Sequence, residues 1–146
     1  MLKIPIDILI VDDEQDFVEM LSLRLTDAGH RVRAAFDGDA GLAALEEAEC
    51  DVVILDIRMP GKDGITVLKA IKSSHPVVEV ILLTGHGTID TAVEGLKSGA
   101  FDYVQKPARF EELIDKLHAA RYRKAEHEER IRRAEARILV RHSGDV

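Results

Sequence analysis

Apolar residues occur along this chain in two patterns that predict two kinds of secondary structure. Short runs that are apolar on both faces, at residues 8–11 and 52–55, predict strands buried on both sides. A further strand is predicted at residues 78–83. Residues 31–36 alternate polar and apolar side chains, which is typical of an edge strand. A last short strand is predicted at 103–105.

Between these runs the apolar residues recur at helical spacing. Helices are predicted after residue 14 with Gly29 as the stop, at 39–48, from Ile65 to a stop at 73–76, at 88–98, and from 109 or 110 until Ser143 and Gly144. Five strands that alternate with five helices through short loops predict an α/β protein. Its sheet is parallel and doubly wound, with helices on both faces.

Composition narrows the class of protein. The chain has 146 residues, of which 46% are hydrophobic, and this suits one domain with a single core. No apolar run approaches the roughly 20 residues of a membrane span, and the start lacks the apolar core of a signal peptide. The lone Cys50 can form no internal disulfide, and we expect it to be buried. We therefore expect a cytoplasmic protein without membrane contact.

Charge is unevenly distributed. Residues 1–108 carry 10 Lys and Arg against 19 Asp and Glu, whereas residues 109–146 carry 10 against 8. Nucleic-acid-binding proteins concentrate basic residues on one face, so we expect no direct contact with nucleic acid. The arginines at 130–137 fit a solvated helix with ion pairs between neighbouring turns.

Polar residues with chemical potential follow four of the predicted strands. Asp12 and Asp13 follow the first strand, Asp56 ends the third, and Thr84 and Lys106 follow the fourth and fifth. Parallel strands share one carboxyl edge, where open α/β sheets bind ligands, so these five side chains are expected to meet there. Each acid taken alone could merely cap the next helix, but two adjacent acids cannot both cap one helix end.

Three carboxylates with one lysine repel each other unless some are protonated or a divalent cation lies among them. A ligand set of oxygen atoms favours Mg²⁺ over zinc. Asp56 could then stay ionised and act as a nucleophile toward phosphorus. Thr84 and Lys106 are suitable donors to phosphoryl oxygens, so the set favours phosphoryl transfer onto Asp56.

The motifs at 11–14, 55–61, 83–85 and 103–107 together resemble the receiver domain of two-component response regulators, over residues 7 to about 120. The motifs 56–61 and 99–103 are similar to those of the NtrC-type subfamily. This resemblance implies a flavodoxin-like sheet of strand order 2-1-3-4-5. It also implies that Asp56 accepts a phosphoryl group from a histidine kinase or phosphotransfer protein.

The same resemblance implies further roles. Mg²⁺ would be bound by Asp13, Asp56 and the Arg58 carbonyl oxygen, and by Asp12 largely through water. Thr84 and Lys106 would bind phosphoryl oxygens, and Lys106-Pro107 would be a cis peptide. Tyr103 would be the aromatic residue that changes position on phosphorylation. Arg58 and His86 would tune the lifetime of the phosphoryl group.

Some alternatives stay open. The chain could stand alone or be the N-terminal fragment of a larger NtrC-type transcriptional regulator. An aspartyl-phosphate phosphatase would need an acid at position 58, where this chain has arginine. A flavin-binding module would need a Ser/Thr/Gly-rich phosphate loop after the first strand, where this chain has acids.

The last predicted helix is too long for the receiver alone. We therefore divide the chain into a receiver at 1–121 and a helical extension at 122–146. Heptad spacing places Lys124, Ile131 and Ile138 on one line of the helix, with His127 and Ala134 on another. The extension could dimerise, stay solvated or dock a kinase or target. A homodimer could use this helix or the face formed by the fourth helix, the fifth strand and the fifth helix.

Overall fold

The structure is a computed structural model that describes residues 4–59, 61, 63–85 and 89–143. Its strands are β1 (Asp7–Val11), β2 (Arg31–Ala35), β3 (Val52–Asp56), β4 (Glu79–Thr84) and β5 (Asp102–Gln105). Its helices are α1 (Gln15–Asp27), α2 (Gly38–Glu47), α3 (Gly64–Ser74), α4 (Ile89–Lys97) and α5 (Phe110–Ser143). Strands and helices alternate as predicted, and their ends agree with the predicted ends to within one or two residues.

The five strands form one parallel sheet in the order β2-β1-β3-β4-β5, which confirms the predicted fold class and strand order. Each crossover is a helix, because parallel strands cannot be joined by a tight turn. The carboxyl ends of all five strands therefore lie along one edge. β1 and β3 are neighbours, with Val11 opposite Leu55.

Alternate residues of each strand pack into two separate apolar layers, one on each face of the sheet. On one face, Leu9, Val11, Val53 and Leu55 pack with α2, α3 and α4. On the other face, Ile8, Ile10, Val52 and Ile54 pack with α1 and α5. All five residues of β3 are buried, as expected for a central strand covered on both sides. Cys50 is a buried free cysteine, as predicted from its position before this strand.

The acids before α1 could each have been simple caps of this helix, but its N-cap residue makes no side-chain capping hydrogen bond. The N-cap residue is Glu14, and the backbone N–H of Glu14 instead donates to Asp12 Oδ1 at 2.9 Å. Acids do cap the next two helices, because Asp37 Oδ1 accepts from Ala40 N and Asp63 Oδ1 accepts from Ile65 N. The acids after β1 are thus available for another role.

Gly64 holds the loop after β3 close to the sheet. A Cβ atom at this position would lie 2.6 Å from the Ile57 carbonyl oxygen, well inside van der Waals contact. The Gly64 N–H lies 3.3 Å from that oxygen. Only glycine lets α3 begin this close to the residue that follows Asp56.

Helix α5 is continuous for 34 residues and crosses the predicted boundary at residue 121 without a break. Its buried residues are Leu113, Leu117, Ala120 and Lys124. The Lys124 ammonium lies 3.0 Å from Asp51 Oδ1, at the amino end of β3, and both side chains are only 10% exposed. Asp51 Oδ2 accepts from Asp7 N at 2.9 Å and lies 3.4 Å from Arg121 Nε. We call these contacts of Asp51 with Lys124, Arg121 and the Asp7 N–H the Asp51 clasp.

Contacts between α5 and the receiver therefore extend at least three residues past the predicted boundary at residue 121. The division into two parts stays a prediction.

Among the described residues, no helix has the length and apolarity needed to cross a bilayer.

We predict that Asp51→Ala lowers the free energy of unfolding by about 3 kcal/mol, because the buried Lys124 charge then keeps only the more exposed Glu128 as a partner. Lys124→Met should cost less, about 1 kcal/mol, because Asp51 keeps its other two partners. Urea unfolding of the full chain measures both values. The matched control is Arg132→Ala, which breaks an exposed pair with Glu129 and should change stability by less than about 0.5 kcal/mol.

Candidate functional site

Three carboxylates meet at the carboxyl edge of the sheet. Asp12 and Asp13 follow β1, and Asp56 is the last residue of the adjacent strand β3. One carboxylate oxygen from each lies within 4.8 Å of the others. Asp12 and Asp56 are buried and Asp13 is exposed, so the cluster opens to solvent on one side.

Backbone hydrogen bonds hold the two buried acids in place. Asp12 donates its own N–H to the Ala35 carbonyl at the end of β2, at 3.1 Å. Asp56 Oδ1 accepts the Arg58 N–H at 3.0 Å. Each carboxylate is thus oriented by the residue two positions further on, as in the Glu14 contact described above. The second oxygen of each carboxylate faces Lys106.

Lys106 supplies the positive charge of the site. Its ammonium lies 2.9 Å from Asp12 Oδ2, 3.6 Å from Asp56 Oδ2 and 3.3 Å from Glu14 Oε1. It also lies 4.4 Å from the centre of the Phe17 ring, a favourable cation–π distance. The adjoining Lys106-Pro107 peptide is cis, as the resemblance implied.

The electrostatics of the site favour a bound cation. Burial raises the pKa of Asp56 from its ordinary 3.8 to about 6. The Arg58 N–H and the Lys106 charge oppose this rise, and the neighbouring Asp12 and Asp13 add to it. Burial lowers the pKa of Lys106, but its hydrogen bond with Asp12 and the surrounding negative charges outweigh burial and raise this pKa overall. One ammonium is thus too little charge to keep Asp56 fully ionised at mildly acidic pH.

Thr84 lies at the same edge, but its hydroxyl donates to the Val104 carbonyl of β5 at 3.4 Å, a long hydrogen bond. Its backbone carbonyl accepts the Lys106 N–H at 2.7 Å, which links the ends of β4 and β5. The structure therefore brings four of the five predicted side chains together and places the fifth beside them. Tyr103 is half-buried and packs against the layer formed with α2, α3 and α4.

Sequence reasoning missed two members of the site. Glu14 was not among the predicted site residues, yet its carboxylate lies 3.3 Å from the Lys106 ammonium. Phe17 was not among them either, and its ring lies beside the same ammonium. The position of Phe17 could have indicated this contact. It lies one helical turn past Glu14 on the first turn of α1, and this helix begins at the carboxyl edge of the sheet. Arg58 is exposed, and its carbonyl as a metal ligand stays a prediction; His86 falls outside the described residues.

The geometry fits a hard divalent cation. All three acids offer oxygen atoms, the ligands that Mg²⁺ prefers. Burial is the main cause of the raised pKa of Asp56, and the charges of Asp12 and Asp13 add to it, so a cation among the three acids would favour the ionised form of Asp56. Fold and site together define a flavodoxin-like α/β domain that has an acidic cluster and a lysine at its ligand-binding edge.

Comparison with known sequences identifies the family. The profile of the "Response regulator receiver domain" matches residues 8–118, about three quarters of the chain. The chain belongs to this family. This result confirms the resemblance drawn from the sequence motifs.

Individual relatives refine the subfamily. The chain is 41% identical over 117 residues to "Putative response regulator NtrX-like" of Rickettsia bellii, covering 79% of this chain and 24% of the relative. It is 39% identical over 120 residues to "Transcriptional regulatory protein ZraR" of Salmonella typhimurium, covering 82% and 27%. The crystal structure of the receiver domain of NtrX from Brucella abortus superposes with a TM-score of 0.77 and 41% identity, covering 80% of this chain and 98% of that domain. These relatives support the predicted NtrC-type subfamily. The chain spans about a quarter of the length of the two curated relatives.

We predict that Asp56→Asn stabilises the metal-free protein at pH 8 by about 1–3 kcal/mol, since folding no longer has to bury this charge. From about pH 4 to about pH 6, the unfolded chain loses the Asp56 proton before the folded protein does. The stability of the wild type relative to the variant should therefore fall as pH rises through this range and stay constant above it.

Urea unfolding in the presence of a chelator, at several pH values, measures this difference. Added Mg²⁺ should stabilise the wild type and leave Asp56→Asn nearly unchanged. Asp115→Asn, which removes an exposed carboxyl on α5, is the control. A pH-independent difference between wild type and Asp56→Asn would contradict the assigned cost of burial.

Proposed function

We propose that the protein is the phosphorylation switch of a two-component system, with Asp56 as the acceptor of a phosphoryl group from a histidine kinase or phosphotransfer protein. The observation that carries this proposal is the position of Asp56. It is a buried carboxylate with one oxygen held by the Arg58 N–H and the other 3.6 Å from the Lys106 ammonium. The lone cysteine is a buried free thiol, in keeping with a reaction in the cytoplasm.

In the transfer step, an Asp56 carboxylate oxygen forms a bond to phosphorus while the bond from phosphorus to the kinase's histidine nitrogen breaks. The electron pair of the broken bond leaves with the imidazole. Asp56 must be ionised to attack, and its raised pKa of about 6 leaves it mostly ionised at neutral pH. The product is an aspartyl phosphate. The protein thus promotes its own modification and regulates others through it.

Asp13 and Asp56, with the Arg58 carbonyl and with Asp12 through water, are the residues proposed to hold Mg²⁺. When bound, this ion would supply positive charge to the phosphoryl oxygens. The exposed side of the cluster at Asp13 leaves room for the incoming group. Asp12 is buried and hydrogen-bonded at both its backbone N–H and its carboxylate, which suits a residue that orients the site.

Lys106 and Thr84 are proposed to bind the phosphoryl oxygens of the product. The Lys106 ammonium already lies within 4 Å of Asp12 and Asp56, so small movements would bring it onto the new group. For Thr84, the hydroxyl would exchange the Val104 carbonyl for a phosphoryl oxygen. This exchange would break the side-chain hydrogen bond between the end of β4 and β5.

Output is proposed to follow from that exchange. The residues between Thr84 and α4, α4 itself and Tyr103 would form a two-state element that the new charge biases. Residues 86–88 of this segment lie outside the described residues. Tyr103 is half-buried and adjoins Val104, so a change at Thr84 has a short path to it.

We propose two contexts in which the receiver could act. Since the matched residues make up only about a quarter of the named relatives, the receiver could act as the N-terminal part of an NtrC-type regulator. It could also act alone. A homodimer could form through exposed apolar residues of α4, namely Ile89, Val93 and Leu96, or through the end of α5. We propose no direct contact with nucleic acid for the residues of the receiver.

We predict that a small acyl phosphate with Mg²⁺ adds one phosphoryl group to the wild type, and that Asp56→Asn abolishes this labelling. Lys106→Met should fold and slow labelling by about tenfold or more, since it removes the cation nearest the reacting oxygens. Intact-protein mass spectrometry measures both. Asp115→Asn should label like the wild type. Full labelling of Asp56→Asn would refute Asp56 as the acceptor.

A second prediction concerns Thr84. Thr84→Val should still accept the phosphoryl group, but phosphorylation should no longer change hydrogen exchange in β5, because the variant has no hydroxyl to give up its bond to Val104. Thr84→Ser keeps the hydroxyl and should restore the change. Hydrogen exchange with mass spectrometry, with and without beryllofluoride as the phosphoryl mimic, distinguishes the two. An unaltered response in Thr84→Val would show that the hydroxyl is not the sensor.

A further inference from the structure

A groove lies where α5 leaves the receiver, at the edge of the sheet opposite the acidic cluster. Its inner part, about 500 Å³, is lined by residues 45–50, residues 74–78, Lys124 and Glu128. Its outer part, about 380 Å³, continues between Val77 and the helix residues His127, Ile131 and Ala134. We call the two parts together the tail groove.

The floor of the tail groove continues the buried face of α5. Leu113, Leu117, Ala120 and Lys124 follow each other at alternating steps of four and three, and all are buried. The same steps lead on to His127, Ile131, Ala134 and Ile138. Ile131 and Ile138 are 47% and 50% exposed, so in the described part of the chain the apolar face continues beyond its own cover. Such a face is expected to pack against another helix.

The Asp51 clasp changes how this face is interpreted. In the sequence, Lys124 was a charged interruption of the heptad pattern. In the structure its ammonium pairs with Asp51 inside the receiver. Lys124 therefore holds the helix at a fixed angle over the groove, and its charge is not presented to an incoming partner.

Charges along the groove and the helix are opposite in sign. The inner groove carries Glu46, Glu47, Glu49 and Glu128. Glu46 is paired with His75 and Glu128 with Lys124, so Glu47 and Glu49 are the acids that an incoming basic helix would meet. The distal end of α5, residues 130–143, carries five arginines against one acid, Glu135. Arg132 and Arg133 bind Glu129 of their own helix, whereas Arg137 and Arg141 are exposed. A basic amphipathic helix is thus the occupant whose charge fits the inner groove.

We propose that the tail groove of one copy receives the distal α5 of a second copy, with the two helices antiparallel and the exchange reciprocal. Ile138 of each copy would then lie near His127 of the other, and Arg137 and Arg141 would face the inner-groove acids. A parallel pair would instead place the two arginine-rich ends side by side, where like charges repel. This proposal develops the helix-mediated homodimer named above and is independent of the chemistry of Asp56.

Charge reversal tests the proposal with the full chain. Arg137→Glu/Arg141→Glu places acids opposite the acidic groove, and Glu47→Lys/Glu49→Lys places bases opposite the basic helix. Each double variant should raise the dissociation constant of its homodimer about tenfold or more. Mixing the two should restore the dimer, because both contacts of the mixed pair then join opposite charges. Sedimentation equilibrium measures the masses.

Lys69→Glu/Arg109→Glu is the matched control, since it reverses two exposed charges outside the groove and helix. It should dimerise like the wild type. Circular dichroism checks folding, and acyl phosphate labelling of Asp56 should be unchanged in every variant. If the wild type is not labelled at all, this result contradicts the proposed function and leaves the proposed dimer untouched.

Cross-linking fixes the direction of the helices. In a Cys50→Ser background, His127→Cys mixed with Ile138→Cys should give a disulfide between the two variants under mild oxidation. A parallel pair would instead give disulfides within each variant alone. A monomeric wild type, a dimer insensitive to charge reversal, or only same-variant disulfides would each overturn the proposal.

Discussion

The ladder between β1 and β3 is the constraint on which the site depends. With Val11 opposite Leu55, the next residues of the two strands place Asp12 and Asp56 side by side at one edge. Two buried carboxylates are unfavourable neighbours, and the ladder holds them there because it is anchored in apolar layers on both faces. Lys106 offsets part of the repulsion, and a divalent cation would offset the rest. The acidic cluster thus follows from the strand register.

Much of this arrangement could be predicted from the sequence, because the relevant signals are local. Apolar runs end at Asp12, Asp56 and Thr84, and parallel topology then brings those ends together. The two faces of each strand follow from the alternation of side chains. This is why the fold class and the acidic cluster agree between prediction and structure, whereas the strand order was implied by the resemblance to receiver domains.

The rest depends on contacts that no local pattern encodes. The hydroxyl of Thr84 has the Val104 carbonyl of β5 as its partner, 20 residues away in sequence. The packing of Phe17 against Lys106 joins residues from α1 and the end of β5. Lys124 is a charged residue on an otherwise apolar line of the heptad pattern. Its partner Asp51 is 73 residues away in sequence, so the heptad pattern alone does not reveal the ion pair. Composition and spacing carry no information on pairs of this kind.

Strand β3 is preceded by one acid and ends in another, and this has a consequence for how the molecule is organised. Asp51 holds α5 at the amino edge, while Asp56 lies at the carboxyl edge, so the 19 residues of α5 after Lys124 extend away from the proposed phosphoacceptor by roughly 28 Å at 1.5 Å per residue. A partner bound to that helix would approach from the edge opposite Asp56. The proposed kinase and the recipient of the signal would therefore not compete for the same surface.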